Sequence, residues 1–442
     1  MYFILRLLLK MTIAVFFRKR VISYLERIPK EGPLIIVANH PCTFLDPIII
    51  ACYCNRPVYF LAKGAIFKNK LAAKILSILH IIPVFRQADD PSMMHKNAET
   101  FSKCYEHLER NGVILLFPEG ISVTEKKLKP IKTGAARIAL GAEARNGFKL
   151  GVKIVPIGLD YENPHQFGKN VFVNVGLPIS VADYKDQFEL NNRKTVGVIT
   201  DWITDNLDEL TINLLSKKEE EILKSIEVLY LTENKKDTSF GFSKKAAEII
   251  HFYARNHIVK FHFLSSRINS YFNMKEKIGL DDVSIDGNSE FWLWRVIKYA
   301  VFIILGAPIF IFGFINNALP YYLSPVLTSK INNQLEYKGP ISMVLGMFMY
   351  LILYPIILLI FYYYTQSGFL TIAYGLILPL SGLFTYEYVQ VIKSLKQRIS
   401  FISIFYNKTK LMSNLLRERE ELIKMLEDVQ SEYETEVLIS AI

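Results

Sequence analysis

The sequence predicts an α/β domain followed by an α-helical membrane region. Two observations carry that prediction. Between residue 32 and about residue 180, short apolar runs rich in β-branched residues alternate with stretches of helical spacing. Three long apolar segments come later, at about 299–319, 341–361 and 369–392. Each approaches the roughly 20 residues a helix needs to cross a bilayer.

Residues 1–17 (MYFILRLLLKMTIAVFF) are apolar but interrupted by Arg6 and Lys10, and they precede Arg18, Lys19 and Arg20. No small-residue cleavage site follows, which speaks against a removable signal peptide. At helical spacing the segment reads as an anchor lying in the membrane interface, its basic residues turned to headgroups. The strands expected next are LIIVAN (34–39), VYFLA (58–62), VILLF (113–117), KIVPIGL (153–159) and VFVNVG (171–176), with helices over 68–79, 94–110 and 132–145. Such alternation implies a sheet covered by helices, with ligands bound at the strand ends.

Residues 181–232 read as amphipathic, charged helix. Residues 244–263 have helical apolar spacing, and 281–290 read as a polar linker. The implied organisation is an interfacial anchor over 1–20, an α/β domain over 21–215, a helical or mixed insert over 216–295, transmembrane helices over 296–392 and a basic, then charged, cytoplasmic helical tail over 393–442. The sequence assigns no role to the insert. Topology is contested. Arg18–Arg20, Arg295 and Lys298 place the α/β domain in the cytoplasm. Three crossings would put the tail outside, yet Lys393, Lys396, Arg398, Lys408 and Lys410 say inside. The first segment, with Pro308, Asn316, Asn317 and Pro320, is expected to be re-entrant or interfacial, leaving an even number of crossings.

Hydrophobic residues make up 51% of the 442 and the mean hydropathy is +0.22, unusual for a soluble protein. The formal charge is +10. A basic excess suits nucleic acid, an anionic membrane face or a polyanionic substrate; apolar segments beside the basic ones favour the membrane, and no nucleic-acid-binding motif accompanies the charge. Cys52 and Cys54 are too close for an ordinary disulfide, and with Cys42 and Cys104 they read as reduced thiols; no second Cys/His pair stands at zinc spacing.

Three blocks carry chemistry. Asn39-His40-Pro41-Cys42-Thr43-Phe44-Leu45-Asp46-Pro47 follows a strand directly. His40 is a candidate base near neutral pH, and Asp46 a carboxylate able to accept a bond from its other ring nitrogen, fixing the tautomer. No nucleophilic serine is needed if the substrate brings its own hydroxyl. Ile82-Pro83-Val84-Phe85-Arg86 ends in a candidate phosphate ligand, Arg86. Phe117-Pro118-Glu119-Gly120-Ile121-Ser122 again closes a strand: Gly120 permits a tight turn, and Glu119 is suited to a substrate hydroxyl or to orienting Arg86. Lys132 precedes a helix whose N-terminus would attract phosphate. A fourth block, Ile154-Val155-Pro156-Ile157, has no chemistry of its own and shapes a strand beside the site.

In this order, within about 120 residues, the four blocks resemble the glycerolipid acyltransferase superfamily, which includes glycerol-3-phosphate, dihydroxyacetone-phosphate and lysophosphatidate acyltransferases. The resemblance covers roughly residues 30–180. It implies a mixed sheet flanked by helices, His40 as catalytic base, Asp46 as its partner, Arg86 as phosphate ligand, and Glu119, Gly120, Ser122 and Lys132 on the acceptor side. It further implies an acyl thioester (acyl-CoA or acyl-carrier protein) and a glycerol phosphate as substrates, no metal, no bound cofactor, membrane lipids as partners and no nucleic acid. The location implied is a bacterial inner membrane or the endoplasmic reticulum. One departure stands out: five residues, not four, separate His40 from Asp46, a spacing that resembles the branch with fungal-type glycerol-3-phosphate enzymes. Glycerol 3-phosphate is therefore the expected acceptor, ahead of lysophosphatidate. A non-catalytic lipid-binding protein and a thioester hydrolase are the rival readings from other classes.

Overall fold

A computed structural model describes residues 2–67, 69, 74, 76–85, 95, 97–234, 240–277, 292–407 and 409–440. Two compact units emerge, and neither is continuous in sequence. The first comprises 1–212 and 324–347, the second 213–323 and 348–442. Within the stretch expected to hold transmembrane helices, 296–392, residues 324–347 group with the α/β unit.

The first unit is built on an eight-stranded sheet: β1 (Lys19–Ser23), β2 (Leu34–Ala38), β3 (Val58–Lys63), β4 (Ile81–Val84), β5 (Val113–Leu116), β6 (Lys153–Tyr161), β7 (Asn170–Val175) and β8 (Ile179–Ser180). The spatial order is β1-β7-β6-β2-β5-β3-β4, with β8 beside β6. β7 and β8 run antiparallel to β6, and the other pairs are parallel. The sheet is therefore mixed.

β2 shows how sequence makes the core. All five of its residues are buried. Leu34, Ile36 and Ala38 point to one apolar cluster, with Ile13, Phe17, Leu45 and Ile49. Ile35 and Val37 point to another, with Ile114, Ile138 and Ile203. The two-residue period puts one set on each face, and a strand buried on both faces is continuously apolar. The covering helices are α1 (Tyr2–Phe16), α2 (Leu45–Tyr53), α3 (Asn97–Glu109), α4 (Gly134–Arg145), α5 (Lys185–Leu190) and α6 (Asn192–Leu210). The expected helix over 68–79 lies partly outside the described residues.

α1 has one buried and one exposed apolar face. Ile13 and Phe16 are buried, while Phe3, Ile4, Leu7, Met11 and Val15 form an exposed apolar stripe, as an interfacial helix requires. Arg6, however, donates to the Cys52 carbonyl (3.3 Å) and Lys10 lies over the Tyr53 ring. Both cations thus touch α2, which offers an acceptor and an aromatic face, and Lys10 stays exposed. Lys19 and Arg20, read as membrane-flanking, open β1.

In the second unit, α7 (Lys217–Asn234), α8 (Phe240–Asn256), α9 (Ile258–Lys277) and α13 (Thr409–Ser440) pack together, burying Leu223, Ile226, Ile250, Tyr253, Ile268 and Leu422. The insert and the tail thus form a helical bundle, tied by Arg267 to Glu418 and Glu421 (3.1 Å each).

Three apolar helices, α10 (Trp292–Ile331), α11 (Leu335–Thr365) and α12 (Gly368–Asn407), are long and apolar enough to cross a membrane. Their most apolar stretches are only 11%, 6% and 11% buried, so this surface calls for a hydrocarbon solvent. The segment expected to be re-entrant or interfacial lies in one helix of 40 residues, α10, which runs through Pro308 and Pro320. Its two asparagines are satisfied inside the protein. Asn316 donates to Phe312 O and accepts from Tyr374 (3.1 Å), and Asn317 donates to Gly313 O and accepts from Tyr354 (2.6 Å), which removes the penalty of polar groups in hydrocarbon.

Candidate active site

β2 ends at Ala38, and Asn39 carries its pairing one residue further with a side chain. The Asn39 amide nitrogen donates to Leu159 O (2.9 Å), and its oxygen accepts from Leu159 N–H (2.7 Å). This pins the following loop to β6. His40 Nδ1–H then donates to Asp46 Oδ2 at 2.8 Å. Asp46 stands in the first turn of α2, fully buried. Its carboxylate accepts two more bonds, from Cys42 N–H to Oδ2 (2.8 Å) and from the Tyr161 hydroxyl to Oδ1 (2.6 Å). Three donors offset the loss of water around a buried ion. Burial, and then the charge of Asp46, push the Tyr161 hydroxyl well above the ordinary tyrosine range, so it stays protonated and remains a donor.

The His40 ring stacks on Phe117, with centroids 4.0 Å apart and planes 14° from parallel. With Nδ1–H committed to Asp46, Nε2 carries the lone pair. It has no partner among the described residues, and the side chain is 19% exposed, so a substrate can reach it.

The five-residue spacer is closed by a tight turn. Leu45 N–H donates to Cys42 O (3.0 Å), and Thr43 adopts φ +37°. For a β-branched residue this left-handed region costs about 1–3 kcal/mol. Two bonds hold it there: Thr43 N–H donates to Ser122 Oγ (2.8 Å), and Thr43 Oγ1 donates to Glu336 O (3.0 Å). Each contributes about 0.5–1.5 kcal/mol.

β5 lies beside β2 and parallel to it, so the loop after β5 leaves the sheet on the same edge as His40. Glu119, buried, receives His40 N–H on Oε1 (2.8 Å) and Lys129 N–H on Oε2 (3.0 Å). Burial pushes its carboxyl up, while the two backbone donors pull it back. Glu119 and Ser122 thus tie the two loops together. Gly120 sits at φ +72°, and a Cβ there would collide with the Lys132 ammonium. Lys132 is exposed, with its N–H on Pro118 O (2.9 Å) and its ammonium against the Gly120 turn, two residues before α4. His40, Glu119, Gly120, Ser122 and Lys132 are thereby brought to two adjacent loops, with Asp46 beside them in the first turn of α2. Arg86 lies outside the described residues. Pro156 is in β6, beside Val37 of β2.

Sequence reasoning did not single out Tyr161, Asn39 or Thr43. Asn39 and Thr43 were visible inside the motif but had no assigned work. Tyr161 lies 115 residues beyond Asp46, and only the β6 pairing brings it near.

Comparison with known proteins bears directly on this geometry. Residues 19–160 match the Acyltransferase family. That stretch is similar to the acyltransferases of glycerolipid synthesis. The chain is 28% identical over 236 residues to glycerol-3-phosphate O-acyltransferase 2 of Saccharomyces cerevisiae, covering 48% of this chain and 30% of that protein. It is 33% identical over 138 residues to glycerol-3-phosphate O-acyltransferase 1 of the same yeast, covering 30% of this chain and 18% of that protein. It is also 25% identical over 199 residues to a 1-acyl-sn-glycerol-3-phosphate acyltransferase of Borreliella burgdorferi, covering 44% of this chain and 74% of that protein. The matched stretch therefore spans under a third of the length of either yeast relative.

Proposed function

We propose that the protein is a membrane-bound O-acyltransferase that moves a fatty acyl group from acyl-CoA or acyl-carrier protein to a hydroxyl of glycerol 3-phosphate. The observation that carries this reading is the His40–Asp46 pair, bonded at 2.8 Å with Nε2 left open to an incoming group. His40 Nε2 takes the proton of the acceptor hydroxyl. The oxygen attacks the thioester carbonyl, and the thiolate leaves with the proton held by His40. Asp46 stabilises the imidazolium between those steps. Lys132, the N-terminus of α4 and Arg86 take the phosphate. Glu119, Gly120 and Ser122 shape the acceptor side of the pocket. The apolar face of α1 and the three long helices keep the site at a membrane whose lipids receive the product, with the α/β domain in the cytoplasm. Such a reaction needs no metal and no bound cofactor.

Glycerol 3-phosphate is preferred as acceptor because two of the relatives reported above are named for it. The Borreliella relative favours a 1-acylglycerol 3-phosphate instead. Membranes containing the protein, given labelled acyl-CoA or acyl-carrier protein and a panel of glycerol 3-phosphate, dihydroxyacetone phosphate and lysophosphatidate, decide between them. Transfer to glycerol 3-phosphate that disappears in His40→Ala is expected. Transfer to lysophosphatidate alone moves the enzyme one step along lipid assembly, and no transfer to any acceptor ends the catalytic reading.

A further inference from the structure

The short hairpin that ends α10 and begins α11, residues 324–347, packs with the sheet as part of the α/β unit, and its contacts fall on the catalytic loop. Five features show a built junction. Glu336 O receives Thr43 Oγ1–H (3.0 Å) and Cys42 Sγ–H (3.7 Å). That carbonyl is available because the residue four positions on, which would bond it within a helix, is Pro340 and has no N–H. Gly339 lies so close to Pro164 O that any Cβ would strike backbone. Met343 is buried in the same apolar cluster as Leu34, Ile36 and Leu45. Gly339, Pro340, Met343 and Met347 are the buried residues of α11, one stripe at helical spacing. Ser324 Oγ bonds Ser342 O (2.5 Å) and closes the hairpin on itself.

The contact falls where the loop is most strained. Thr43 stands midway between His40 and Asp46 at φ +37°. One of its two anchors, Ser122, belongs to the α/β loops, and the other is the hairpin. If the second anchor is lost, Thr43 relaxes, and the neighbouring Cys42 N–H moves off Asp46 Oδ2.

We propose that residues 324–347 are a positioning element of the active site: the hairpin holds Thr43 through the Glu336 carbonyl freed by Pro340, and so holds the His40–Asp46 geometry. Thr43 and Glu336 touch no substrate and act through the loop. The proposal rests on the acyltransferase reading for its rate measurements, so it is also tested without turnover.

The test uses the full chain in native membranes with Thr43→Val, Thr43→Ser and Gly339→Ala. Thr43→Val keeps the shape and removes the donor, so kcat falls about five- to tenfold with both KM values unchanged. Thr43→Ser restores the donor and most of kcat. Gly339→Ala pushes the hairpin off and lowers kcat to a similar degree. The double variant Thr43→Val/Gly339→Ala is no worse than either single one, because both remove the same contact. Hydrogen–deuterium exchange of peptides spanning 39–47 reads the loop independently: it speeds up in Thr43→Val and Gly339→Ala and not in Thr43→Ser. Faster exchange in a protein that transfers no acyl group supports the positioning element and ends the acyltransferase reading. Unchanged kcat and unchanged exchange in Thr43→Val overturn the proposal, as does equal damage from Thr43→Ser or a multiplied loss in the double variant.

Discussion

Asp46→Asn exposes how the catalytic pair is held. An amide offers one acceptor and one donor where the carboxylate had two acceptors. Cys42 N–H faces Oδ2 and can only donate, so the amide oxygen must occupy the Oδ2 position. The new NH2 then meets Tyr161, whose hydroxyl can turn and accept. His40 therefore keeps Nδ1–H toward residue 46 and keeps the productive tautomer. What is lost is charge. With N···O at 2.8 Å, the charge centres of an imidazolium–carboxylate pair are about 4 Å apart, worth about 4 kcal/mol at an effective dielectric of 20. The surviving neutral bond recovers part of this, since a charge-assisted bond exceeds a neutral one by only about 1–1.5 kcal/mol. We expect kcat to fall by about ten- to a thousandfold, less than the roughly ten-thousandfold loss seen where such a change traps the wrong tautomer. The assay is the initial rate of acyl transfer with both substrates saturating, beside His40→Ala. Asp46→Asn as inactive as His40→Ala refutes the tautomer reasoning, and a rate within twofold of wild type refutes a role for the charge.

Three further outcomes follow from the structure. Tyr161→Phe removes the donor to Asp46 Oδ1 and lowers stability by about 1.5–3 kcal/mol, read as a lower denaturation midpoint in detergent; adding Asp46→Asn deepens the loss, because the amide NH2 then faces a phenyl ring. Burial pushes His80, His107 and His165 below the ordinary histidine range, so the unfolded chain binds more protons than the folded one as pH falls through about 6.5. Stability is full above that range and declines below it, whereas Glu119, raised by burial, acts in the opposite sense nearer the carboxylate range; Tm measured from pH 8 to 5.5 falls, and a rise contradicts the assignment. Asn317→Leu removes the bond from Tyr354 and the donation to Gly313 O, costing about 0.6–1.7 kcal/mol and loosening the three apolar helices, measured as earlier unfolding in detergent while the α/β domain's transition is unmoved.

Much of the domain was legible because its signals are local. The apolar runs at 34–39, 58–62, 113–117, 153–159 and 171–176 all became strands, since buried parallel strands need nearly continuous apolar sequence. β1 was hidden: Lys19 and Arg20 open a strand at the sheet's edge, which tolerates charge, and their position after an apolar segment read as membrane flanking. His40 and Asp46 were readable from residue type and spacing. Their contact was not, because the five-residue spacer closes only through a left-handed Thr43, and no local propensity signals that in a threonine. Glu119 was read as suited to a substrate hydroxyl or to orienting Arg86; that its two oxygens also take the N–H groups of His40 and Lys129 was not legible, because those partners come from separate loops. Residues 324–347 were hidden inside apolar helices, where hydropathy describes the surrounding solvent and not which turn docks on the α/β domain.

The most direct test of the central claim is thioester loss from acyl-CoA or acyl-carrier protein, followed with and without glycerol 3-phosphate, in wild-type and His40→Ala membranes. A direct acyltransferase built on His40 consumes thioester only when the acceptor is present, forms one acylated glycerol phosphate per thioester consumed, and does neither in His40→Ala. Thioester loss that needs no acceptor, or acylation that survives in His40→Ala, contradicts it.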